Sequence, residues 1–170
     1  MKYIYGIGLP RTGTTSLGGA LSLLNIKGES ICILNNCSRK SNNDNTNNSY
    51  LYSVENDFYK NINTSITADF FVNNKFILTN RDYKTWKQSI EKFKFSNEKE
   101  YNYLEKINPD DYQKLIIKLF EKYNCSSNLL IINIFETNHE TLWKSIIDFL
   151  ELDINNYLNL LDIEFPNIIL

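Results

Sequence analysis

The chain has 170 residues, 42% of them hydrophobic, enough for one compact domain with a sizeable core and too few for two. A formal net charge of -2 and a pI near 5.5 exclude a general attraction to nucleic acid or acidic membranes, so any anion site must be local. Three cysteines, Cys32, Cys37 and Cys125, form no CxxC pair and indicate neither a disulfide framework nor a zinc knuckle, which suits a reducing, intracellular setting.

In chain order, Lys2 to Ile7 is β-branched and aromatic and predicts a strand. The opening stretch, interrupted by Gly6, Gly8 and Pro10, does not read as a signal peptide, and no segment approaches a membrane span, so a soluble, cytoplasmic protein is expected. Leu17, Ala20, Leu21 and Leu24 recur at helical spacing over Ser16 to Leu24; Gly28 can stop that helix, and Ser30 to Leu34 predicts a short second strand. The Asn-rich tract at about 35–49 lacks the apolar content to fold alone and reads as a loop or poorly ordered insertion. Tyr50 to Asn61 is aromatic-rich and reads as a helix.

Phe76 to Leu78 centres a buried strand, and Asp82 can cap the helix that follows it. Asn108 or Asp110 can open another helix through Tyr123, with Leu115, Ile116, Leu119 and Phe120 as its apolar stripe. "NLLIINIF" predicts the last strand and "ETLWKSIIDFLELD" an amphipathic helix, with the tail "DIEFPNIIL" packed as an extension. Strands separated by helices imply right-handed crossovers, hence one α/β domain over residues 1–170, a three-layer sandwich with a mostly parallel central sheet.

Ligands on such sheets bind beyond the carboxyl ends of the strands, where loops open into helices. "YIYGIGLPRTGTTSLGGALSLL", Tyr3 to Leu24, occupies such a junction and is P-loop-like. Gly8 and Gly13 keep the Walker A spacing, but Thr14 stands in the place of the lysine, and Arg11 breaks the third glycine of a dinucleotide fingerprint. A glycine loop entering a helix still aims backbone N–H groups and the positive helix end at one anion. Thr12, Thr14 and Thr15 can add hydroxyl donors, and Arg11 supplies a charged fork suited to an oxyanion with several oxygens. The plainer alternative is a tight strand-to-helix turn.

"GLPRTGTTSL" resembles the 5′-phosphosulfate-binding loop of the sulfotransferases, matching through Pro10, Arg11, Thr12, Gly13, Thr14 and Thr15. That loop holds the phosphosulfate of the donor PAPS (3′-phosphoadenosine 5′-phosphosulfate), whose product is PAP. "KFILTNRDYKTWKQSI" resembles the family's second element, in which an Arg at a strand end and a Ser eight positions later bind the 3′-phosphate; here these are Arg81 and Ser89. Read alone, Arg81 could equally be a surface ion-pair partner of Asp82. Trp86 reads as core packing. The closing strand and helix, with Phe165 and Pro166 after them, also look like the family's, although Leu142 and Trp143 replace its usual Gly-Trp.

The resemblance implies in-line transfer of a sulfuryl group from PAPS to a hydroxyl or amine acceptor, with Arg11 polarising the transferring group and no metal required. Asp69 is the preferred general base, resembling the Asp of an "Asp-aromatic-Pro" segment, with a turn cap as its other reading. His139 and Glu55 are the alternatives. The expected acceptor pocket is shallow, or is completed by a homo-oligomer or a macromolecular substrate. Two other functions share the loop: a nucleoside or nucleotide kinase, which the missing lysine disfavours, and a non-catalytic PAP- or anion-binding module.

Overall fold

The computed structural model describes residues 2–32, 37–40, 50–54, 58, 67–94 and 104–167. Six strands form one sheet: β1 (Lys2–Gly6), β2 (Lys27–Cys32), β3 (Cys37–Lys40), β4 (Tyr50–Val54), β5 (Lys75–Asn80) and β6 (Leu129–Asn133). Their order is β3-β2-β4-β1-β5-β6; all neighbours are parallel except β3, which runs antiparallel to β2 at one edge.

Residues of the central strands alternate between two cores, as strands covered on both faces must. Ile4, Ile77 and Ile132 join one core with Leu17 and Leu21 of α1 (Thr14–Leu23) and Leu142 and Ile146 of α5 (His139–Phe149). Tyr5, Phe76 and Leu78 join the other. There they meet Phe71 of α2 (Ala68–Asn73), Trp86 and Ile90 of α3 (Tyr83–Lys94), and Ile116 and Phe120 of α4 (Pro109–Lys122). The expected α/β sandwich is therefore present.

β1 and β5 are neighbours, but the chain leaves them in opposite directions. From β1 it passes through α1 to β2 on one side; from β5 it passes through α3 and α4 to β6 on the other. The carboxyl ends of these two strands are therefore a topological switch point, the general ligand position of open α/β sheets.

Four local expectations are corrected. Tyr50 to Val54 is a strand between β1 and β2, not the start of a helix; Tyr and Val suit a strand, and parallel partners on both sides take up its backbone groups. The rest of the window to Asn61 lies outside the described residues apart from Phe58, which is buried. α1 stops before Gly28, because Asn25 turns the chain at φ 57 and β2 already starts at Lys27. Within the Asn-rich tract, Cys37 to Lys40 forms β3, and the remainder lies outside the described residues. On α4, Leu115 is 48% exposed and Tyr112, Ile116 and Phe120 form the buried stripe. The tail packs as expected: Phe165 lies 4.9 Å from the Trp143 ring, and the Trp143 indole N–H donates to the Ile163 carbonyl at 3.0 Å.

Candidate functional site

The loop from β1 into α1 is built against the end of β5. The Ile7 N–H donates to the Ile77 carbonyl at 3.0 Å, continuing the β1–β5 ladder one residue past the strand. Gly8 then passes so close to β5 that a Cβ there would sit 2.0 Å from Thr79 Oγ1 and 2.8 Å from the Thr79 carbonyl oxygen. Two left-handed residues complete the turn, Arg11 at φ 70 and Gly13 at φ 98.

Pro10 and Thr12 shape this turn and offer it no donors. Proline has no N–H. Thr12 donates both its N–H, at 3.2 Å, and its hydroxyl, at 2.6 Å, to the Leu9 carbonyl. Its hydroxyl has one proton, so the 2.8 Å contact with Thr79 Oγ1 is donated by Thr79. The expectation that the Thr12 hydroxyl serves a ligand is therefore corrected.

What the loop does present is the start of α1. The first N–H groups of any helix lack intrahelical partners. Asp82, Asn108 and Asn138 supply side-chain acceptors at the starts of α3, α4 and α5. α1 opens at Gly13, which has no side-chain acceptor to give, and carries no acidic residue in its first turn. The amides of Gly13, Thr14 and Thr15 with the positive helix end thus form an anion-binding arrangement.

The loop's carbonyls are fixed from both faces of the sheet. Tyr112 donates its hydroxyl to the Ile7 carbonyl at 2.7 Å, Trp86 its indole N–H to the Pro10 carbonyl at 2.9 Å, and Tyr52 its hydroxyl to the Thr14 carbonyl at 3.4 Å. Burial pushes the phenols of Tyr52 and Tyr112 far above the ordinary value of about 10, so both remain neutral donors. Above about pH 10 the unfolded chain ionises these phenols while the folded chain does not. Their contribution to stability is therefore complete below that pH and is lost as pH rises beyond it. Urea unfolding between pH 8 and 11 should show falling stability above about pH 10, with a shallower decline in Tyr112→Phe; an equal decline in the variant would contradict this.

Arg11, Arg81 and Ser89, predicted from two separate motifs, come together here. Arg11 Nε donates to Ser89 Oγ at 3.2 Å, and Arg81 Nη1 donates to the Arg11 carbonyl at 3.3 Å. The Arg81 guanidinium lies 4.1 Å from the centre of the Phe135 ring, in the segment after β6. Desolvation by burial lowers the Arg81 pKa, the neighbouring Arg11 lowers it further, and Asp82 partly opposes both. Arg81 Nε is buried without a hydrogen-bond partner. Two neighbouring cations that disfavour each other make a cluster whose repulsion an oxyanion would relieve.

Asp69 is not brought to this cluster. It is exposed in the first turn of α2, whose last residue lies just before the amino end of β5, and its neighbour Phe70 packs on Tyr5 and Phe76 toward that end of the sheet. Its assignment as general base is corrected on that ground. His139 starts α5, but its Nδ1 accepts from the Phe165 N–H at 3.1 Å and its Nε2 lies 3.8 Å from Glu164, so it ties the tail to the helix. Glu55 lies outside the described residues. Residues missed from sequence are Phe135, whose only signal was its place at a strand's carboxyl end, and Trp86, read simply as core.

The class defined by these observations is an open, mainly parallel α/β sheet carrying an arginine-bearing glycine loop at its switch point. Residues 3–129 match the sulfotransferase domain, and the chain belongs to that family, whose reaction is the transfer of a sulfuryl group. No curated protein matches the chain. Among the described residues, no helix is long and apolar enough to cross a membrane.

Proposed function

We propose that this chain is a PAPS-dependent sulfotransferase acting on a hydroxyl or amine acceptor. The observation that carries the reading is the uncapped start of α1 beside the Arg11–Ser89–Arg81 cluster. The amides of Gly13, Thr14 and Thr15 with Arg11 would hold the 5′-phosphosulfate, and Arg81 with Ser89 the 3′-phosphate. The residues present suit a nucleotide with two separate anionic groups: the Arg11 and Arg81 guanidiniums disfavour each other when unliganded and stand beside the Ser89 hydroxyl. When bound, PAPS supplies an activated sulfuryl group.

The protein's part is positioning and charge. Amides fixed by the helix start and a guanidinium tied to Ser89 would need little reorganisation when negative charge builds on the leaving phosphate. Thr14 sits where a kinase would carry its lysine and contributes no charge, so the loop suits one sulfonated phosphate better than a triphosphate chain.

Calorimetry with PAP, AMP and ADP tests the donor assignment. PAP is expected to bind at least about tenfold tighter than AMP, since only PAP carries the group for Arg81 and Ser89. Equal affinities would remove the 3′-phosphate assignment. Release of PAP from PAPS with mixed phenol, sugar and amine acceptors tests catalysis; tight PAP binding without turnover would favour a binding module.

A further inference from the structure

We infer that Trp86 is a positioning residue for Arg11, holding the loop arginine in its left-handed backbone conformation through the Pro10 carbonyl. The inference rests on the loop being the anion site proposed above. A non-glycine residue at φ 70 is disfavoured, and it persists only where its surroundings dictate it. The two peptide planes that flank the Arg11 α-carbon set its backbone angles, and each is held by a side chain from outside the loop. The plane before it is held by Trp86, whose indole N–H donates to the Pro10 carbonyl at 2.9 Å. The plane after it is held by Arg81 at the Arg11 carbonyl and by the Thr12 N–H donated back to Leu9.

Trp86 is suited to this task in a way that its core position alone does not require. Its ring is buried with Ile90 and Leu78, so the indole has little freedom to move away from the loop. In a trans peptide the carbonyl and the next N–H point in opposite directions, so fixing the Pro10 carbonyl toward α3 fixes the Arg11 N–H away from it. The Arg11 side chain then leaves the loop in one direction, toward Ser89 on the same helix that carries Trp86. One helix thus sets both ends of Arg11, its backbone through Trp86 and its guanidinium through Ser89.

A double-mutant cycle separates this role from packing. Trp86→Phe keeps an aromatic ring and removes the donor; it is expected to weaken PAP binding about tenfold. In an Arg11→Ala background the same change should alter PAP affinity less than twofold, because the residue through which Trp86 acts is gone. Equal losses in both backgrounds would overturn the inference and leave the donor assignment standing, whereas failure of the unmutated protein to bind PAP would overturn both. Should Trp86→Phe fail to fold, the indole N–H resonance of Trp86 in the unmutated protein serves instead: it is expected to shift in step with PAP saturation, and an unmoved resonance would overturn the inference.

Discussion

Arg81→Ala is expected to abolish the preference for PAP over AMP, lowering PAP affinity by about 10- to 150-fold while AMP binding changes far less. A hydrogen bond between charged partners contributes roughly 1.5–3 kcal/mol, and a guanidinium on a phosphate is of that kind. The same substitution should cost the free protein little stability, because loss of the hydrogen bond to the Arg11 carbonyl is offset by removal of an unfavourable charge. Arg81 is desolvated, sits beside Arg11 and keeps one donor unmet, so its charge is poorly compensated without a ligand. Arg81→Lys should recover only part of the affinity, since an ammonium lacks the planar fork. Calorimetry with both nucleotides and a melting curve check this; equal losses for PAP and AMP, or a large fall in melting temperature, would contradict it.

Gly8→Ala is expected to cost about 3 kcal/mol or more of stability, at the top of the range for an overpacked site. The added methyl would lie 2.0 Å from Thr79 Oγ1, 2.6 Å from Thr12 Oγ1 and 2.8 Å from the Thr79 carbonyl oxygen. None of these atoms is free to retreat. The two hydroxyls bond each other and are buried, and the carbonyl belongs to a central strand with parallel partners on both sides. Against a typical total of 5–15 kcal/mol, such a loss leaves a marginal fold. Adding Thr79→Ala should recover part of it by removing the nearest atom, but the carbonyl contact remains. Urea unfolding of the single and double variants measures both; an unchanged midpoint for Gly8→Ala would mean that the loop does not lie against β5.

The main architecture was legible because buried parallel strands write themselves as apolar runs, as at Phe76 to Leu78 and in "NLLIINIF", and because helices such as α5 repeat their apolar residues at 3.6. β4 was not. Buried on both faces, it shows no alternation, and its five residues, Tyr50 to Val54, sit in an aromatic stretch that also suits a helix. Arg11, Arg81 and Ser89 could be named from their motifs, since their chemistry is local to a loop and to a strand end.

Asp69 was misplaced for a geometric reason. Standing a few residues before a strand puts a side chain near that strand's amino end, and the site lies at the other. The partners that freeze the loop were beyond sequence reach altogether. Thr12 meets Thr79 across 67 positions, and Trp86 meets Pro10 across 76, contacts that only the assembled sheet and helices create.

The central claim is that uncapped amides at the start of α1, with Arg11, grip the 5′ group of a 3′-phosphorylated nucleotide. A crystal structure of the PAP complex tests it most directly. The account predicts the 5′-phosphate about 3 Å from the amide nitrogens of Gly13, Thr14 and Thr15, with the 3′-phosphate on Arg81. PAP bound at another place on the chain, or with its phosphates away from α1, would contradict it.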